Sequence, residues 1–443
     1  MHTVIIGGGT AGWYAAAIIS AYVPGMRITL IESPDIPPIG VGEGTFPSTM
    51  RILRQLGFSM PDIINGCNAG IKLGIRYSEF AEEPFWLTTE PVSEWIRHGS
   101  EMTKAMAMGN RCPSLDGRYP YAMHFVASDL AAMLQEACLR NGVTHIPARV
   151  SDVKVDDDRC QWVRLEDGTE ITGDWFVDCS GFARMLIGKT SAVFHSYADD
   201  LLVDSAVVGI THYVDRESEF VPYTQLTARA AGWQFRIPTQ TRIGNGIVYS
   251  SRHWTRDQAE QCLRESVGVA NPRHLRMGLG YHDRLILGNI AAVGLSGGFI
   301  EPLEATAIHI AEQTIGWLVG ILRGETTTDI ANEALRDKIT YIKTLIMAHY
   351  AYCERPEPFW CDARLAAARN GDLDRFIQGL GNGRYPTDTD HLDDAYPWCQ
   401  WNELLRGFGK DHYYPAMDTI DLDSTKTHAY GMPQHLQECL RSR

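Results

Sequence analysis

The sequence lacks the cysteine spacings that build metal sites and disulfide frameworks. Its ten cysteines are scattered along 443 residues, with no CxxC pair and no His/Cys cluster at zinc spacing. Scattered cysteines are typical of reduced proteins inside cells, whereas disulfide frameworks are found in shorter secreted chains. We therefore expect no metal site and a cytoplasmic location.

Long basic runs and membrane-length apolar runs are also missing. The formal net charge is −14, and no stretch concentrates lysine and arginine, which argues against a nucleic-acid partner. Residues 285–300 are uncharged but too short and too rich in glycine to span a bilayer. The apolar N-terminus has no basic segment and is broken by three consecutive glycines, so it is not expected to be a signal peptide. We expect no membrane partner.

What the sequence does contain is typical of an ordinary globular protein of substantial size. Hydrophobic residues make up 44% of the chain and charged residues 21%, which excludes a disordered or fibrous protein. A chain of 443 residues is long enough to form two or more structural lobes. The acidic excess favours solubility but does not specify a partner.

A glycine-rich turn near the N-terminus carries the strongest local pattern. The β-branched run 2–6 is followed by Gly7, Gly9 and Gly12 in G-x-G-x-x-G spacing, then by an alanine-rich helical pattern through residue 22. A second predicted strand, 27–31, ends in Glu32, whose carboxylate lies where it can accept hydrogen bonds from a ribose. The glycines permit a tight turn, close approach of a pyrophosphate and close helix packing. The unit predicts a dinucleotide site.

Two later segments indicate which dinucleotide is bound. Residues 175–181 and 285–298 each combine a predicted buried strand with small residues that would let the backbone approach the same ligand. Three such returns suit FAD, whose extended body crosses much of its domain. The sequence has no second G-x-G-x-x-G to hold NAD(P)H, so we expect the chain to bind flavin but not to reduce it.

The rest of the chain divides into a sheet and a helical part. Strand-like runs at 206–210, 234–237 and 246–249 predict a mostly antiparallel sheet over 195–265 that faces the flavin. From residue 303 the pattern is helical and continues through 346. The expected fold class is α/β, and the sequence contains no internal repeat.

One lysine stands out because its neighbours are apolar or glycine. Lys72 lies in the stretch Ile71-Lys72-Leu73-Gly74-Ile75. From the residues alone, the favoured interpretation is that its stem is buried while its ammonium reaches water. The alternative is that the fold needs a positive charge or an amine at this position.

Several separated stretches together resemble one family, the flavin-dependent tryptophan halogenases. They are GGGTAGW at 7–13, GVGEGTFP at 40–47, NAGIKLGIR at 68–76, DCSGF at 178–182 and GLSGGFIEPLEATAI at 294–308. The resemblance implies a Rossmann-like FAD-binding domain of the aromatic-hydroxylase and glutathione-reductase type, built from segments 1–80, 120–190 and 270–330. It further implies a substrate-facing sheet and loops in 81–119 and 195–265, and a helical substrate lobe in 331–443.

The resemblance also implies a reaction. FADH2 from a separate flavin reductase reacts with O2 to give a peroxyflavin, and halide then yields hypohalous acid. Hypohalous acid then reaches a small aromatic substrate in a separate pocket. There Lys72 either hydrogen-bonds the hypohalous acid or reacts with it to form a haloamine, and Glu304 orients the reagent and accepts the arenium proton. A structural role for Glu304 at a helix start is compatible with the catalytic one.

The resemblance places further residues at the cofactor and the halide. The expected FAD contacts are Gly7, Gly9, Thr10, Ala11, Gly12, Glu32, Gly40, Glu43, Gly44, Leu295 and Ile308. Thr306 and Ala307 are expected to bind halide through backbone amides. The family commonly has serine after the glutamate and glycine after the threonine, where this chain has Ala305 and Ala307. The added methyl can change pocket size, so chloride, bromide and iodide all stay candidates.

Several aromatic residues have two interpretations, a role at the flavin or the substrate and core packing. Trp233 and Phe235 fall on a strand that in the family screens the flavin from the organic substrate, although core packing explains Phe235 equally well. Four aromatic residues of the C-terminal region can stack on an indole but are more often core: Trp398, Trp401, Tyr413 and Tyr414. His124 is expected to be structural. The substrate is an indole or another electron-rich arene, with free tryptophan in doubt.

Two other functions stay open at this point. An FAD-dependent aromatic monooxygenase of the same fold would bind its substrate beside the flavin and would not need Lys72. The other is a non-catalytic flavin-binding protein that acts as a redox sensor or scaffold. A homodimer is compatible with the sequence.

Overall fold

The computed structural model describes residues 1–36, 40, 42–89, 100–111, 121–381 and 398–410. Within these ranges the strands form a six-stranded sheet, a seven-stranded sheet and three smaller sheets of three strands each. The chain is α/β with both parallel and antiparallel pairing, as expected. None of the helices in the described ranges combines the length and apolar content that crossing a bilayer requires.

The six-stranded sheet carries the glycine turn. Its strands, in order across the sheet, are Ile286–Leu287, Ile290–Ala292, Trp175–Asp178, His2–Ile6, Arg27–Glu32 and Thr144–Pro147. All neighbours pair in parallel except the first two, which are antiparallel. Helix Thr10–Tyr22 connects His2–Ile6 to Arg27–Glu32, so the predicted strand–turn–helix–strand unit is confirmed.

Three chain segments converge at the carboxyl edge of this sheet, because parallel strands end on the same side. The Cys179 amide donates to the Ile6 carbonyl at 2.8 Å, and the Val293 amide donates to the Asp178 carbonyl at 2.9 Å. The third segment differs from the single buried strand expected over 285–298. It is a hairpin that turns at Gly288, with φ of +61°, followed by the 3-10 turn Gly294–Ser296.

The seven-stranded sheet confirms the antiparallel strands expected in the middle of the chain. Its order is Arg273–Arg276, Ser205–Thr211, Ile243–Tyr249, Gly232–Pro238, Thr224–Arg229, Gly74–Ser78 and Phe85–Thr88. Only Thr224–Arg229 and Gly74–Ser78 pair in parallel. The sheet therefore includes strands outside 195–265, one of which directly follows Lys72.

Three smaller sheets of three strands each accompany these two larger sheets. One consists of Val150–Asp156, Arg159–Leu165 and Glu170–Ile171, and another of Phe194–Ser196, Gly280–His282 and Gly298–Phe299. In the third, Glu43–Gly44 and Gly70–Lys72 flank the central strand Ala122–Phe125. This third sheet determines where the Lys72 backbone lies.

The predicted helical stretch from 303 to 346 is two helices, Ala307–Leu322 and Thr328–Tyr352. The first ends because Gly324 adopts a left-handed φ of +74°, and the second begins at Thr327, whose side chain accepts from the Ile330 amide. Helix Thr10–Tyr22 packs against Ala127–Arg140 and Ala307–Leu322. The predicted helical pattern is therefore interrupted between residues 322 and 328.

The described residues also form several further helices. Those before residue 300 are Pro47–Gln55, Met60–Gly66, Glu101–Met108, Arg216–Glu219 and Arg256–Val267, with 3-10 turns Gly181–Ala183 and Ile187–Lys189. The C-terminal helices are Pro358–Ala368, Gly371–Gly381 and Trp398–Gly407. Trp401 is fully buried with its ring centroid 4.2 Å from that of Phe376, which is a core position. The Trp398 side chain, Tyr413 and Tyr414 lie outside what the structure describes.

Candidate functional site

A cavity of about 750 Å³ lies between the carboxyl edge of the six-stranded sheet and one face of the seven-stranded sheet. Cofactor pockets usually have volumes of this order and mostly apolar walls. Most residues predicted to contact a cofactor or halide line it: Gly7, Gly9, Thr10, Ala11, Glu32, Gly40, Glu43, Gly44, Leu295, Thr306, Ala307 and Ile308. Lys72, Trp233 and Phe235 line the same cavity. Gly12 and Glu304 do not.

The glycine turn has the geometry of a dinucleotide cradle. Gly7 has φ of +109°, and a methyl group added there would lie 2.3 Å from the Cys179 carbonyl oxygen. A methyl group at Gly12 would lie 1.8 Å from the Gly7 carbonyl oxygen, whereas one at Gly9 would meet nothing within 4 Å. Gly7 and Gly12 therefore close the turn, and Gly9 leaves its cavity side open for a ligand.

Glu32 lies at the end of its strand, against the glycine turn. A methyl group added at Gly8 would lie 2.1 Å from the Glu32 carboxyl carbon. The carboxylate also contacts His145, with 3.0 Å between Oε2 and Nε2. This position is consistent with the predicted ribose contact, since Glu32 lines the cavity beside the start of helix Thr10–Tyr22.

Asp178 organises the second segment that reaches the cavity. Its buried carboxylate accepts from the Ser180 hydroxyl at 2.6 Å and from the Leu186 and Ile187 amides at 2.8 and 3.0 Å. In the third segment, Gly294 has φ of +72°, and a methyl group there would lie 3.0 Å from the Ala11 Cβ. Both segments approach the glycine turn closely, as expected for three returns to one ligand.

Lys72 is buried, with only 4% of its surface exposed, so the interpretation that its ammonium reaches water is wrong. Nζ donates to the Thr45 carbonyl at 3.2 Å and lies 5.5 Å from the centre of the Phe46 ring. Burial lowers the pKa of the Lys72 ammonium from 10.5 to about 8, and attraction to Glu304 opposes that shift. An amine whose pKa is near neutral pH can lose its proton and act as a nucleophile.

Glu304 occupies the turn that precedes helix Ala307–Leu322, and 1% of its surface is exposed. Its Oε1 accepts from the Tyr77 hydroxyl and lies 3.0 Å from Nε2 of His349. The residue that caps the helix is Thr306, so Glu304 is two positions before the cap. Its carboxylate is held by side chains from a strand and from another helix, which argues against a purely helix-terminal role.

Lys72 meets the cavity wall beside Gly44 and Ala305. Ala305 lines the cavity and has a left-handed φ of +54°, which is uncommon for a residue with a side chain. A methyl group added at Gly44 would lie 3.1 Å from Lys72 Nζ and 3.6 Å from the Ala305 Cβ. Gly44, Lys72 and Ala305 therefore meet at one point of the cavity wall.

Gly44→Ala is expected to displace the Lys72 amine without unfolding the chain, because the added methyl meets the flexible end of a side chain. A displacement of this size typically lowers a positioned reaction by about tenfold to a hundredfold. The measurement is the halogenated product formed per flavin oxidised in the reaction that the sequence resemblance implies. Gly278→Ala is the matched control, since its added methyl comes no closer than 4.0 Å to a neighbour, the Arg184 side chain. If Gly44→Ala forms as much product per flavin oxidised as the wild type, the contact at Gly44 does not position the Lys72 amine.

Thr306 and Ala307 lie where helix Ala307–Leu322 meets the cavity. Thr306 is the N-terminal cap, and the first turn of the helix contains no acidic residue. The first amides of a helix have no partner within the helix, and its positive end favours an anion. The arrangement suits a halide, and the halide role of both residues stays a prediction.

Trp233 and Phe235 come from one strand, Gly232–Pro238, and point to the same side because strand side chains alternate. The Trp233 indole Nε1 donates to the Tyr350 hydroxyl at 3.1 Å. That hydroxyl in turn donates to the Glu301 carboxylate, at 2.9 and 3.0 Å from its two oxygens. The indole is thereby fixed as part of the cavity wall.

Two carboxyl groups line the cavity, those of Glu301, which is buried, and of Glu43, which is partly buried. Burial raises the pKa of Glu301 to about 8 and that of Glu43 to about 7. Burial therefore favours the neutral form of both groups. The carboxyl group that interacts electrostatically with Lys72 is that of Glu304. Glu301 lies three positions before Glu304 in the 294–308 stretch, which was the available sequence signal.

His124 is structural, as expected. It is fully buried, and its Nε2 lies 2.8 Å from the Thr224 hydroxyl. Burial, reinforced by repulsion from Lys72, lowers the pKa of His124 to about 3. The imidazole is neutral at physiological pH and contributes no charge near Lys72.

Comparison with known proteins identifies close similarity over nearly the whole chain. The Tryptophan halogenase family model matches residues 2–92 and 88–421. The 7-chloro-L-tryptophan 6-halogenase KtzR of Kutzneria sp. (strain 744) is 33% identical over 433 residues, covering 84% of this chain and 83% of KtzR. The tryptophan 7-halogenase RebH of Lentzea aerocolonigenes is 29% identical, covering 97% and 92%.

A solved structure gives the same result for the fold. BrvH, a flavin-dependent halogenase from Brevundimonas sp. BAL3, superposes with a TM-score of 0.82 at 29% sequence identity. The match covers 99% of this chain and 95% of BrvH.

Proposed function

The chain belongs to the flavin-dependent tryptophan halogenase family, and from this premise we propose that it is an FADH2-dependent halogenase of an indole or another electron-rich arene. The observation that carries the proposal is the buried Lys72 amine, which lines the cavity and is electrostatically coupled to Glu304 behind the wall. The electrophilic reagent is generated on one side of this wall, and the arene is modified on the other.

FAD would occupy the 750 Å³ cavity, where Gly9 and the start of helix Thr10–Tyr22 would hold its pyrophosphate and Glu32 would hold a ribose. When bound as FADH2, it supplies hypohalous acid from O2 and chloride, bromide or iodide. Thr306 and Ala307 hold the halide through backbone amides. We assign the FAD-binding domain to segments 1–80, 120–190 and 270–330, and its fold to the aromatic-hydroxylase type.

Lys72 receives the electrophilic halogen. Its lowered pKa leaves a fraction of the amine unprotonated near neutral pH, so Nζ has a lone pair available for hypohalous acid. Its Thr45 carbonyl contact directs the amine, and its burial keeps bulk water from competing for the reagent. Glu304 accepts the proton that the arene loses, because it is the carboxylate held in place beside this amine.

The substrate binds on the Glu304 side, facing the sheet and loops of 81–119 and 195–265 and the lobe of 331–443. The relatives KtzR and RebH are halogenases of 7-chloro-L-tryptophan and of tryptophan, which supports an indole as substrate. Trp233 and Phe235 keep the arene away from the flavin, since both are packed into the cavity wall. A separate flavin reductase supplies FADH2 to the protein. The protein is cytoplasmic and forms a homodimer.

The test combines the purified full chain with FAD, a flavin reductase, NADH, a halide and a panel of indoles. Mass spectrometry should detect products in which halogen replaces hydrogen, formed only with halide and reduced flavin. Products that gain oxygen would support an aromatic monooxygenase instead. Flavin binding without any product across the panel would favour a redox sensor.

A further inference from the structure

The Trp233 indole on the cavity wall is anchored by a chain of two hydrogen bonds. Its Nε1 donates to the Tyr350 hydroxyl at 3.1 Å, and because an indole N–H can only donate, the Tyr350 oxygen is the acceptor. The phenol hydrogen is then directed to Glu301, whose two carboxyl oxygens lie 2.9 and 3.0 Å away. All three side chains are at most 1% exposed. Trp233 and Glu301, which both line the cavity, are thereby linked through a tyrosine that does not line it.

The Tyr350 ring is itself held in place by aromatic neighbours on the next helix. Its centroid lies 5.8 Å from that of Trp360, with 31° between the ring planes, and 6.0 Å from that of Phe359, at 84°. Trp360 donates its own indole N–H to the Arg229 carbonyl at 2.8 Å, on the strand that pairs with the strand of Trp233. The hydroxyl that anchors Trp233 is therefore presented from a packed cluster.

The same helix end also contacts Glu304. Tyr350 directly follows His349, whose Nε2 lies 3.0 Å from Glu304 Oε1. Consecutive helix residues point about 100° apart, so one helix end reaches Glu301 with one side chain and Glu304 with the next. Burial, followed by the charges of Glu304 and Glu301, raises the pKa of Tyr77 well above its usual value, which indicates that both carboxyl groups lie near that phenol. The anchored indole therefore borders the Glu304 site.

We propose that Tyr350 is a positioning residue that fixes the Trp233 indole as a barrier between the flavin cavity and the arene. This inference rests on the proposed halogenase function. Without the hydroxyl, the buried indole N–H would lose its acceptor, and an unpaired buried donor is unfavourable enough to favour another ring orientation. A reoriented indole would no longer fill the wall beside Phe235, whose ring centroid lies 6.3 Å from its own, and the arene would gain access to the flavin.

The ionisation of the chain suits a permanent anchor. Burial, with a further contribution from Glu301, raises the pKa of Tyr350 well above its usual value, so the phenol keeps its hydrogen. Burial raises the pKa of Glu301 to about 8, repulsion from Glu304 adds to the rise, and the Tyr350 hydrogen bond opposes it. A carboxyl oxygen can accept from Tyr350 whether Glu301 is neutral or ionised. The anchor therefore persists across the pH range in which Glu301 titrates.

Tyr350→Phe tests the proposal, because it removes the hydroxyl and keeps the packed ring. We expect halogenated product per flavin oxidised to fall by about tenfold, since small misplacements in a positioned site have effects of this order or larger. Arene products that gain oxygen should appear, while FAD still binds. A merely structural role would lower turnover without producing oxygenated arene.

Tyr213→Phe is the matched control. The Tyr213 hydroxyl donates to the backbone carbonyls of Thr239 and Arg242, and Tyr213 does not line the cavity. This variant loses a partly buried phenol hydroxyl in the same way, so it should keep the wild-type ratio of halogenated to oxygenated product. The same shift in product ratio in Tyr213→Phe as in Tyr350→Phe would overturn the proposal.

A double-mutant cycle shows whether Tyr350 acts through Trp233. Phenylalanine at position 233 has no N–H to anchor, so adding Tyr350→Phe to Trp233→Phe should change the product ratio far less than Tyr350→Phe changes that of the wild type. Equal effects in the two backgrounds would overturn the proposal, because Tyr350 would then act independently of the indole.

The fluorescence of bound oxidised FAD reports the same anchor without turnover. An indole close to an isoalloxazine quenches its emission by donating an electron, so the quenching that Trp233→Phe removes belongs to Trp233. We expect this quenching to give a single lifetime in the wild type and to become weaker and heterogeneous in Tyr350→Phe. An unchanged lifetime in Tyr350→Phe would overturn the proposal.

The wild-type lifetime also keeps the proposal testable if Tyr350→Phe does not fold. Heterogeneous quenching by Trp233 in the wild type would overturn it, because the indole would not be fixed. Failure of the wild type to halogenate any indole, with the lifetimes as expected, would instead overturn the proposed function and leave the anchored indole in place. The two failures are therefore distinguishable.

Discussion

Lys72→Met will abolish halogenated product while FAD stays bound and reduced flavin is still oxidised. Methionine matches the length and apolar character of the lysine stem but has no amine to hold or carry the electrophilic halogen. The expected loss is about 10³-fold or more, because a positioned nucleophile can contribute most of the rate of a group transfer. Product is measured by mass spectrometry, and flavin oxidation is followed in the same reaction.

The same substitution should stabilise the protein at neutral pH. The fold lowers the pKa of Lys72 from 10.5 to about 8, so it disfavours the ammonium relative to the unfolded chain. This cost is fully present below pH 8 and disappears as pH rises towards 10.5. Lys72→Met removes the cost, so its melting temperature should exceed that of the wild type at pH 7 and the gain should shrink at high pH.

The control for this variant is Lys154→Met, which removes a lysine whose side chain is 51% exposed beside Asp156. It should change neither product formation nor the pH dependence of stability. Halogenation retained by Lys72→Met at wild-type levels would exclude the amine from the reaction. A loss of FAD binding together with the activity would mean that Lys72 acts on the cofactor instead.

Glu304→Gln is expected to slow halogenation by about 10² to 10⁴-fold, the range that a positioned general base contributes. The amide has nearly the shape of the carboxylate and its oxygen can still accept from Tyr77, so packing is preserved while the proton acceptor is lost. The variant also removes the attraction that raises the pKa of Lys72. The pH at which Lys72 deprotonates should therefore move below 8, detectable by pH-dependent amine labelling of the two proteins.

Glu260→Gln provides the comparison, because Glu260 contacts a histidine and an arginine in a surface cluster rather than in the buried site. It should leave both product formation and Lys72 labelling unchanged. An unaltered halogenation rate in Glu304→Gln would assign Glu304 a structural role. An unaltered labelling profile would show that the carboxylate does not influence the amine.

The parts of the site that the sequence predicted are those encoded by short contiguous stretches. Gly12 is required by its contact with the Gly7 carbonyl inside the turn itself, and Gly7 adopts a positive φ that a local glycine pattern already indicates, although its close neighbour is the distant Cys179 carbonyl. Lys72 and Glu304 were identified by resemblance. Burial of Lys72 could not be deduced from its neighbours, since an apolar flank suits a snorkelling lysine equally well.

The residues missed are those whose roles depend on tertiary contacts. Tyr77 and Glu304 are 227 positions apart, and no local pattern indicates that a strand tyrosine contacts a turn carboxylate. His349 stands in a helix with ordinary amphipathic spacing, where its sequence context is indistinguishable from that of a core histidine. The helix end at Gly324 was missed for a different reason, because the helical pattern resumes only a few residues later.

The parallel pairing of Gly74–Ser78 with Thr224–Arg229 determines when the site forms during synthesis of the chain. The strand after Lys72 acquires its neighbour only once residues 224–229 have left the ribosome, and Glu304 meets His349 later still. Contacts between such distant segments are slow to form and follow local helix formation. The lysine therefore becomes enclosed late in folding, so nascent chains should react with amine-reactive reagents faster than the folded protein does, until helix Thr328–Tyr352 docks.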